Sequence, residues 1–286
     1  MVERFARVSN KMTRRHEQIA HRHKLSEIRN IMNSMKTLAM METHKLERII
    51  ETQTTMLDSI ENIAADFLHF NPQVLPEVEP TSNIILLIGS ERGFCGDFNE
   101  KLVNQLEQSF SNATQSDTTL ISVGHKLHSL MDEKNYNIIY VEGASVVEEI
   151  FSVVDSLSEI FASYQKLSSL YVLHHNSQHD ELIIERLMPP FEEIHYKKLD
   201  YTPPPLLNLT ARYFFLELTE HYLFNSLHKI LYISLMVENQ RRIQHLENAT
   251  HHLDEKTDEL KHKINALRQE EIIEEIEVIL LNASNI

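Results

Sequence analysis

Tryptophan is absent from this 286-residue chain, which holds one cysteine, five glycines and eight prolines. A single cysteine cannot close an internal disulfide, so stability must come from packing, and a reducing compartment is the default expectation. So few glycines and prolines leave little material for tight turns and favour long helices. Long apolar runs are missing too: no stretch reaches the ~18–20 consecutive apolar residues of a membrane-spanning helix. The start, Met1-Val2-Glu3-Arg4-Phe5-Ala6-Arg7, has no apolar core of signal-peptide length. Membrane association is therefore expected only through partners. Basic charge is also short, with 27 Lys and Arg against 42 Asp and Glu and a net charge of −15. A nucleic acid would be repelled overall, which argues against free binding to one.

What is present is the composition of a soluble globular protein, 42% hydrophobic and 24% charged. Its charge is uneven. Residues 1–50 carry 11 basic and 5 acidic side chains, whereas residues 238–286 carry 6 and 11. A basic N-terminal helix and an acidic C-terminal helix would suit each other as partners. From Leu25 onward apolar residues recur in steps of three and four through Ile28, Met32, Met35, Ala39, Leu46, Ile49, Met56, Ile60, Ile63 and Phe67. Glu42 and Gln53 hold the two positions that break the series. This spacing predicts a heptad seam about six repeats long, on a rod of roughly 65 Å. Pro72, Pro76 and Pro80 then end the helix. A second seam runs through Met236, Ile243, Leu246, Leu253, Leu260, Ile264 and Leu267, with Asn239, Thr250 and Thr257 as polar layers that fix register. Beyond it, residues 272–286 are expected to outrun the partner helix. Ile272, Ile276, Ile279 and Leu280 would then need an external apolar sleeve.

The middle of the chain changes character. Short apolar runs at 84–88, 118–123, 137–141 and 169–173 alternate with helical segments at 99–109, 125–132 and 146–166. Strands alternating with helices predict parallel pairing and a βαβ-type domain. The expected fold is α/β plus long helices: an antiparallel coiled coil of the N- and C-terminal helices with a central Rossmann-like α/β domain. The expected boundaries are 1–70 for the first helix, 71–82 for a linker, 83–205 for the α/β domain and 206–286 for the last helix.

Three of the five glycines lie in Gly89-Ser90-Glu91-Arg92-Gly93-Phe94-Cys95-Gly96-Asp97-Phe98-Asn99, after the apolar run and before a helix. Strand, glycine-rich turn and helix are the layout of a phosphate cradle. The residues do not fill it. A P-loop needs Lys then Ser or Thr after its last glycine, and here Asp97 follows Gly96; the dinucleotide fingerprint needs a different glycine spacing. A structural turn is the better reading. His21 with His23, His174-His175 and His251-His252 are poorly spaced for chelation, and Cys95 has only Glu91 and Asp97 nearby as bases. No cofactor, metal or catalytic residue is expected.

The parts together resemble the γ subunit of F-type ATP synthases. Ser90 to Asn99 is similar to that family's Ser-x-Arg-Gly-Leu-Cys-Gly-x-x-Asn signature, through Ser90, Arg92, Gly93, Cys95, Gly96 and Asn99. Leu187-Met188-Pro189 resembles its Leu-Leu-Pro, and the stretch after Asp200-Tyr201 resembles its Tyr-x-x-Glu-Pro. Glu238, Arg242, Leu246, Ala249 and Thr250 fall on its helix pattern of Glu, Arg, Met, Ala and Thr. Asn265, Arg268, Gln269, Ile272, Glu275 and Ile276 reproduce its C-terminal Asn-x-x-Arg-Gln-x-x-Ile-x-x-Glu-Ile. Lys36, Met40 and Lys45 keep parts of its first helix. The chain departs at His251-His252, Ile273 and Leu281-Asn282, and residues 1 to about 18 look like an added basic segment.

The resemblance implies a non-catalytic central-stalk rotor subunit, a shaft coupling ion flow through a ring of c subunits to ATP synthesis or hydrolysis in a head of α and β subunits. It implies an ε subunit beside the α/β domain and a peripheral place on the cytoplasmic face of a bacterial plasma membrane. The departures leave open a standard housekeeping synthase and a divergent second complex, coupled to protons or to sodium. Arg242, Arg268 and Gln269 are the implied polar contacts with the head, Ile272, Ile276 and Ile279 the apolar tip, and the glycine motif a turn seating the domain. Two other readings fit the residues alone: a coiled-coil adaptor built on the same fold, and a metabolite-binding α/β enzyme with coiled-coil arms.

Overall fold

The computed structural model describes residues 2–75, 82–110, 118–134, 136–164, 168–176, 181–191 and 206–283, with side chains described between Thr13 and Leu280. Asp200-Tyr201 and Pro76, Pro80 and Pro203–Pro205 lie outside the described residues. Two long helices bracket a sheet domain: α1 (Val2–Phe70, 69 residues) and α5 (Ala211–Ala283, 73 residues). Between them come β1 (Ser82–Ile88), α2 (Phe98–Ser109), β2 (Thr118–Val123), α3 (His125–Glu133), β3 (Ile138–Val141), α4 (Ile150–Ser163), β4 (Ser168–His175) and β5 (Leu182–Met188). The expected fold class is the one observed.

The chain forms two compact units, and both long helices contribute to each. One holds Met1–Leu38 with Ile243–Ile286, the other Ala39–Arg242. In the second unit the five strands lie in the order β3-β2-β1-β4-β5. The first four are parallel, with Leu86 at the centre paired to Ile121 and Val172. The fifth corrects the all-parallel expectation, because β5 turns back antiparallel on β4 along the sheet edge. β1 is buried on both faces, as an apolar run flanked by helices requires. Ile85 and Leu87 face Phe98, Leu102, Leu127 and Met131 of α2 and α3. Ile84, Leu86 and Ile88 face α4 through Val154 and Leu157, and α5 through Leu227, Leu231 and Leu235. A further cluster joins the end of α1 to the start of α5 through Phe67, Leu68, Phe215 and Leu218. The two residues that broke the heptad series make specific contacts here. The Glu42 carboxylate accepts from the Val147 amide at 3.3 Å, and Gln53 Nε2 donates to Asn225 Oδ1 at 2.9 Å.

The first unit is an antiparallel helix pair. Arg15 meets Glu271 at 3.2 Å, Arg29 meets Asp254 through two nitrogens, and Lys36 meets Glu247 at 3.8 Å. Every one of these pairs is basic on α1 and acidic on α5, in line with the charge asymmetry of the sequence. At the rim of a coil such contacts set orientation more than they add strength. The inward face of α5 follows the expected seam, with Leu246, Thr250 and Leu260 buried. That of α1 does not. Ile28 in this unit, and Met56 and Ile63 where α1 belongs to the second unit, were expected inside but are 45, 51 and 49% exposed, and the next residue along takes the inward position. Leu57 and Ala64 are buried on α1, as is Thr43, while Arg29 and Lys36 are partly covered. The true step is Leu25, Arg29, Met32, Lys36, Ala39, Thr43, Leu46; three of its seven side chains are polar, so hydrophobicity alone picks the wrong neighbour.

The expected overhang of α5 also needs correcting. Continuing the register of the three pairs towards the termini brings the first turn of α1 level with the last turn of α5. The one-residue shift has a direct check. Leu57→Ala should cost about 2–4 kcal/mol of unfolding free energy, as buried leucines do, while Met56→Ala should stay within about 0.5 kcal/mol. Urea titration of both variants reads the difference, and the reverse order would restore the original seam.

Candidate functional site

The glycine loop begins where β1 ends inside the sheet. Gly89 donates to the Val123 carbonyl at 2.9 Å, and a Cβ there would lie 2.3 Å from Cβ of Leu127, so α3 can pack only on a glycine. Gly124 faces the loop with φ +102°, and a Cβ there would meet the Ser90 carbonyl oxygen at 2.7 Å. The chain then turns through two left-handed residues, Phe94 (φ 66°) and Gly96 (φ 63°), before α2 starts.

Side chains of the motif lock this turn. Ser90 is fully buried; its amide donates to Asn99 Oδ1 at 3.0 Å, and Asn99 Nδ2 donates back to Ser90 Oγ at 2.9 Å. The Cys95 thiol donates to the same Ser90 hydroxyl oxygen at 3.3 Å. Burial pushes that thiol's pKa up, against the Ser90 hydrogen bond, so it is a packing group and not a nucleophile. The Glu91 carboxylate accepts from the His125 and Gly143 amides at 2.9 and 2.8 Å, tying the loop to α3 and to the turn after β3.

The loop does hold an acid, supplied by the chain itself. The amides of Glu91 and Arg92 hydrogen-bond to the carboxylate of Glu238 on α5. Arg242, one helical turn on, pairs with Glu238 and donates to Asn239 Oδ1 at 2.7 Å. It also donates to the carbonyls of Gly93 at 3.2 Å and Arg92 at 3.5 Å. Loop amides therefore meet the acid and loop carbonyls meet the base, with Glu238 and Arg242 3% and 5% exposed. At the rim, Asp97 sits between Lys101 at 3.3 Å and Arg241 at 3.6 Å. The site can grip a helix; with these amides occupied it cannot cradle a phosphate.

The sequence-predicted residues fall into three places. Ser90, Arg92, Gly93, Cys95, Gly96 and Asn99 build the turn, Arg92 through its carbonyl while its side chain is exposed. Arg242, expected on the subunit surface, is instead buried within the chain, because the loop carbonyls and Glu238 use its donors. Arg268 and Gln269 are exposed on α5, as are Ile272, Ile276 and Ile279 at 45, 50 and 66%. Glu238 and Asn239 were read only as positions of a helix pattern and a polar seam layer, and Glu91 only as a base near Cys95; their contacts with the loop and with Arg242 were missed. The available signal was a Glu and an Arg four apart just after the apolar run Leu235-Met236-Val237. Among the described residues no cluster of His, Cys, Asp or Glu could hold a metal, and no helix is long and apolar enough to cross a membrane.

Burial raises the Glu238 carboxyl from 4.5 to about 7, against the pull of Arg242 and the two amides. A carboxyl raised on folding adds stability that is complete below about pH 4.5 and lost as the pH climbs towards 7. Glu238→Gln cannot ionise, so its stability relative to wild type should rise by about 3 kcal/mol across that window. Urea unfolding at a series of pH values measures this. A difference that stays constant with pH would contradict the buried-carboxyl assignment.

The family model described as ATP synthase matches residues 16–285. The ATP synthase gamma chain of Pelotomaculum thermopropionicum is 27% identical over 223 residues, covering 72% of this chain and 74% of that one. The gamma chain of Fusobacterium nucleatum is 22% identical over 275 residues, covering 90% and 93%. Among solved structures, the rotor of the Euglena gracilis mitochondrial ATP synthase superposes with a TM-score of 0.61 at 15% identity, covering 91% of this chain and 99% of that one, a likeness of fold. With its family match running through both long helices and the sheet domain between them, the chain belongs to the ATP synthase gamma-chain family.

Proposed function

We propose that this chain is the central-stalk rotor of a rotary ATP synthase, transmitting torque between an ion-driven ring of c subunits and a catalytic head of α and β subunits. The observation that carries this reading is the buried grip of the glycine loop on α5. A shaft must not turn inside the domain that drives it, and Glu238 with Arg242 fastens the central loop of the sheet to the helix. From that point α5 runs unbroken to Ala283. Torque applied to the sheet domain therefore enters a continuous helix through hydrogen bonds and an ion pair as well as through the apolar packing of Leu227, Leu231 and Leu235.

The chain contributes mechanics, and nucleotide chemistry belongs to the head. The sheet domain stands on the ring with ε beside it, and the whole is peripheral on the cytoplasmic face of a bacterial plasma membrane. Ion choice, proton or sodium, belongs to the ring. On α5 the exposed Arg268 and Gln269 make the polar contacts with the head, and the outward Ile272, Ile276 and Ile279 turn in an apolar sleeve. Arg242 is not among these contacts, since its donors are used inside the chain.

Affinity purification of the full chain from its native membranes should recover α, β and ε in fixed ratio; recovery without them would favour the adaptor reading. In the reconstituted complex, Arg268→Ala and Gln269→Ala should each lower ATP-driven ion pumping by about fivefold, the size of a moderate interface contact. Full pumping by both variants would remove these residues from the coupling surface.

A further inference from the structure

His228 of α5 is 3% exposed and packs against α4. Its ring is caged by three aromatic side chains: Phe151 of α4, with centroids 4.7 Å apart, Phe224 one turn before it at 4.3 Å, and Tyr232 one turn after it at 6.0 Å. Nδ1 lies 2.9 Å from the Phe224 carbonyl oxygen, which can only accept. The ring therefore donates from Nδ1, and its neutral form carries the lone pair on Nε2. That nitrogen is buried with no hydrogen-bond partner among the described residues. Leaving it so costs free energy that a leucine or phenylalanine in the same cage would not. His174, another buried histidine, is arranged differently, with its two nitrogens facing the His175 carbonyl at 3.1 Å and the Glu185 carboxylate at 3.4 Å. A second ring proton has an acceptor there. On His228 it has none.

We propose that His228 is an acid-operated latch between α4 and α5: the neutral ring closes the interface, and the protonated ring must displace Phe151 to reach water, which frees the first turns of α4. Phe151 suits a lid. It is 58% exposed on the first turn of α4, while Val153, Val154 and Leu157 hold the rest of that helix in the core. Burial lowers the pKa of the His228 ring from 6.5, and the Phe224 carbonyl and the Asp155 carboxylate act in the opposite direction. Among the described charged groups of α1, α4 and the sheet, Asp155 is the one that acts on this ring. On α5 itself, burial pushes the Tyr232 phenol up and keeps it neutral, and Lys229 acts on Glu185 of β5. A histidine lowered on folding stabilises the closed state fully above about pH 6.5, and that contribution is lost as the pH falls below it. Imidazole is the side chain whose ordinary range makes such a switch work near neutrality. Under the rotor reading, acid would loosen the hold of the sheet domain on its shaft. The latch is a property of this chain alone and stands or falls independently of that reading.

Hydrogen–deuterium exchange of the full chain tests the latch, with wild type and His228→Gln compared at each pH so that the intrinsic pH dependence of exchange cancels. Between about pH 7.5 and 5.5 the ratio of wild-type to variant exchange rates in residues 150–157 should rise several-fold. Its limit is about tenfold, the most that one proton taken up a unit below the ordinary imidazole value can give. The same ratio in α2, on the other face of the sheet, should stay constant. Asp155→Asn supplies a second reading in which His228 stays in place. Without the carboxylate that favours the charged ring in the closed state, residues 150–157 should open more readily in acid, so the ratio of Asp155→Asn to wild-type rates should also rise as the pH falls. A wild-type to His228→Gln ratio that is flat with pH, a parallel rise in α2, or a flat Asp155→Asn ratio would each overturn the latch.

Discussion

A buried acid and base one helical turn apart organise the functional part of this molecule. Glu238 and Arg242 lie on the face of α5 that meets the sheet, where neither could stay charged alone without a large desolvation cost. The glycine loop resolves this by offering amides to the acid and carbonyls to the base. Those groups point at α5 only because the loop is bent through Phe94 and Gly96 and braced by Ser90 and Asn99. Gly89 and Gly124 let the neighbouring backbone and Leu127 close in behind it. Removing either charge leaves the other buried and unpaired, so the motif and the helix depend on each other.

The helix pair depends on charge in a different way. Its seam alternates apolar residues with Arg29, Lys36, Thr43, Thr250 and Thr257, so it buries less apolar surface than a leucine-rich coil. The pairs with Asp254, Glu247 and Glu271 all have the same polarity, which fixes which face meets which and in which direction. Apolar residues such as Ile28 and Met56, expected in the seam, and Ile31 and Ile276 are left on the outside. Apolar residues left outside suit a rod that works in contact with other proteins.

Much of the fold was legible because the signals were local. Four strands follow from short apolar runs, and the long helices follow from unbroken three-four steps without glycine or proline. The edge strand β5 was missed because Glu185 and Arg186 interrupt the apolar run Leu182-Ile183-Ile184, and an edge strand need bury only part of each face. The α1 seam was read one residue off because the inward side chains at Arg29, Lys36 and Thr43 are polar, and because Leu57 and Ala64 stand beside the equally apolar Met56 and Ile63. In the site, the turn was visible in the spacing of its glycines, and its similarity to the family lay in the same ten residues. What the turn holds was not visible. Glu238 lies almost 150 residues away in sequence, and only the fold shows that the acid in the cradle is the chain's own carboxyl.

The central claim is that torque passes between the sheet domain and α5 through the Glu238–Arg242 grip. Single-molecule rotation measures it most directly, with a bead fixed to an exposed position of α3 such as Asp132 and the head immobilised and supplied with ATP. The account predicts that the wild-type bead turns under viscous load, whereas an Arg242→Gln complex of normal composition hydrolyses ATP while its bead slips or stalls. A variant bead turning at the wild-type rate under the same load would contradict it.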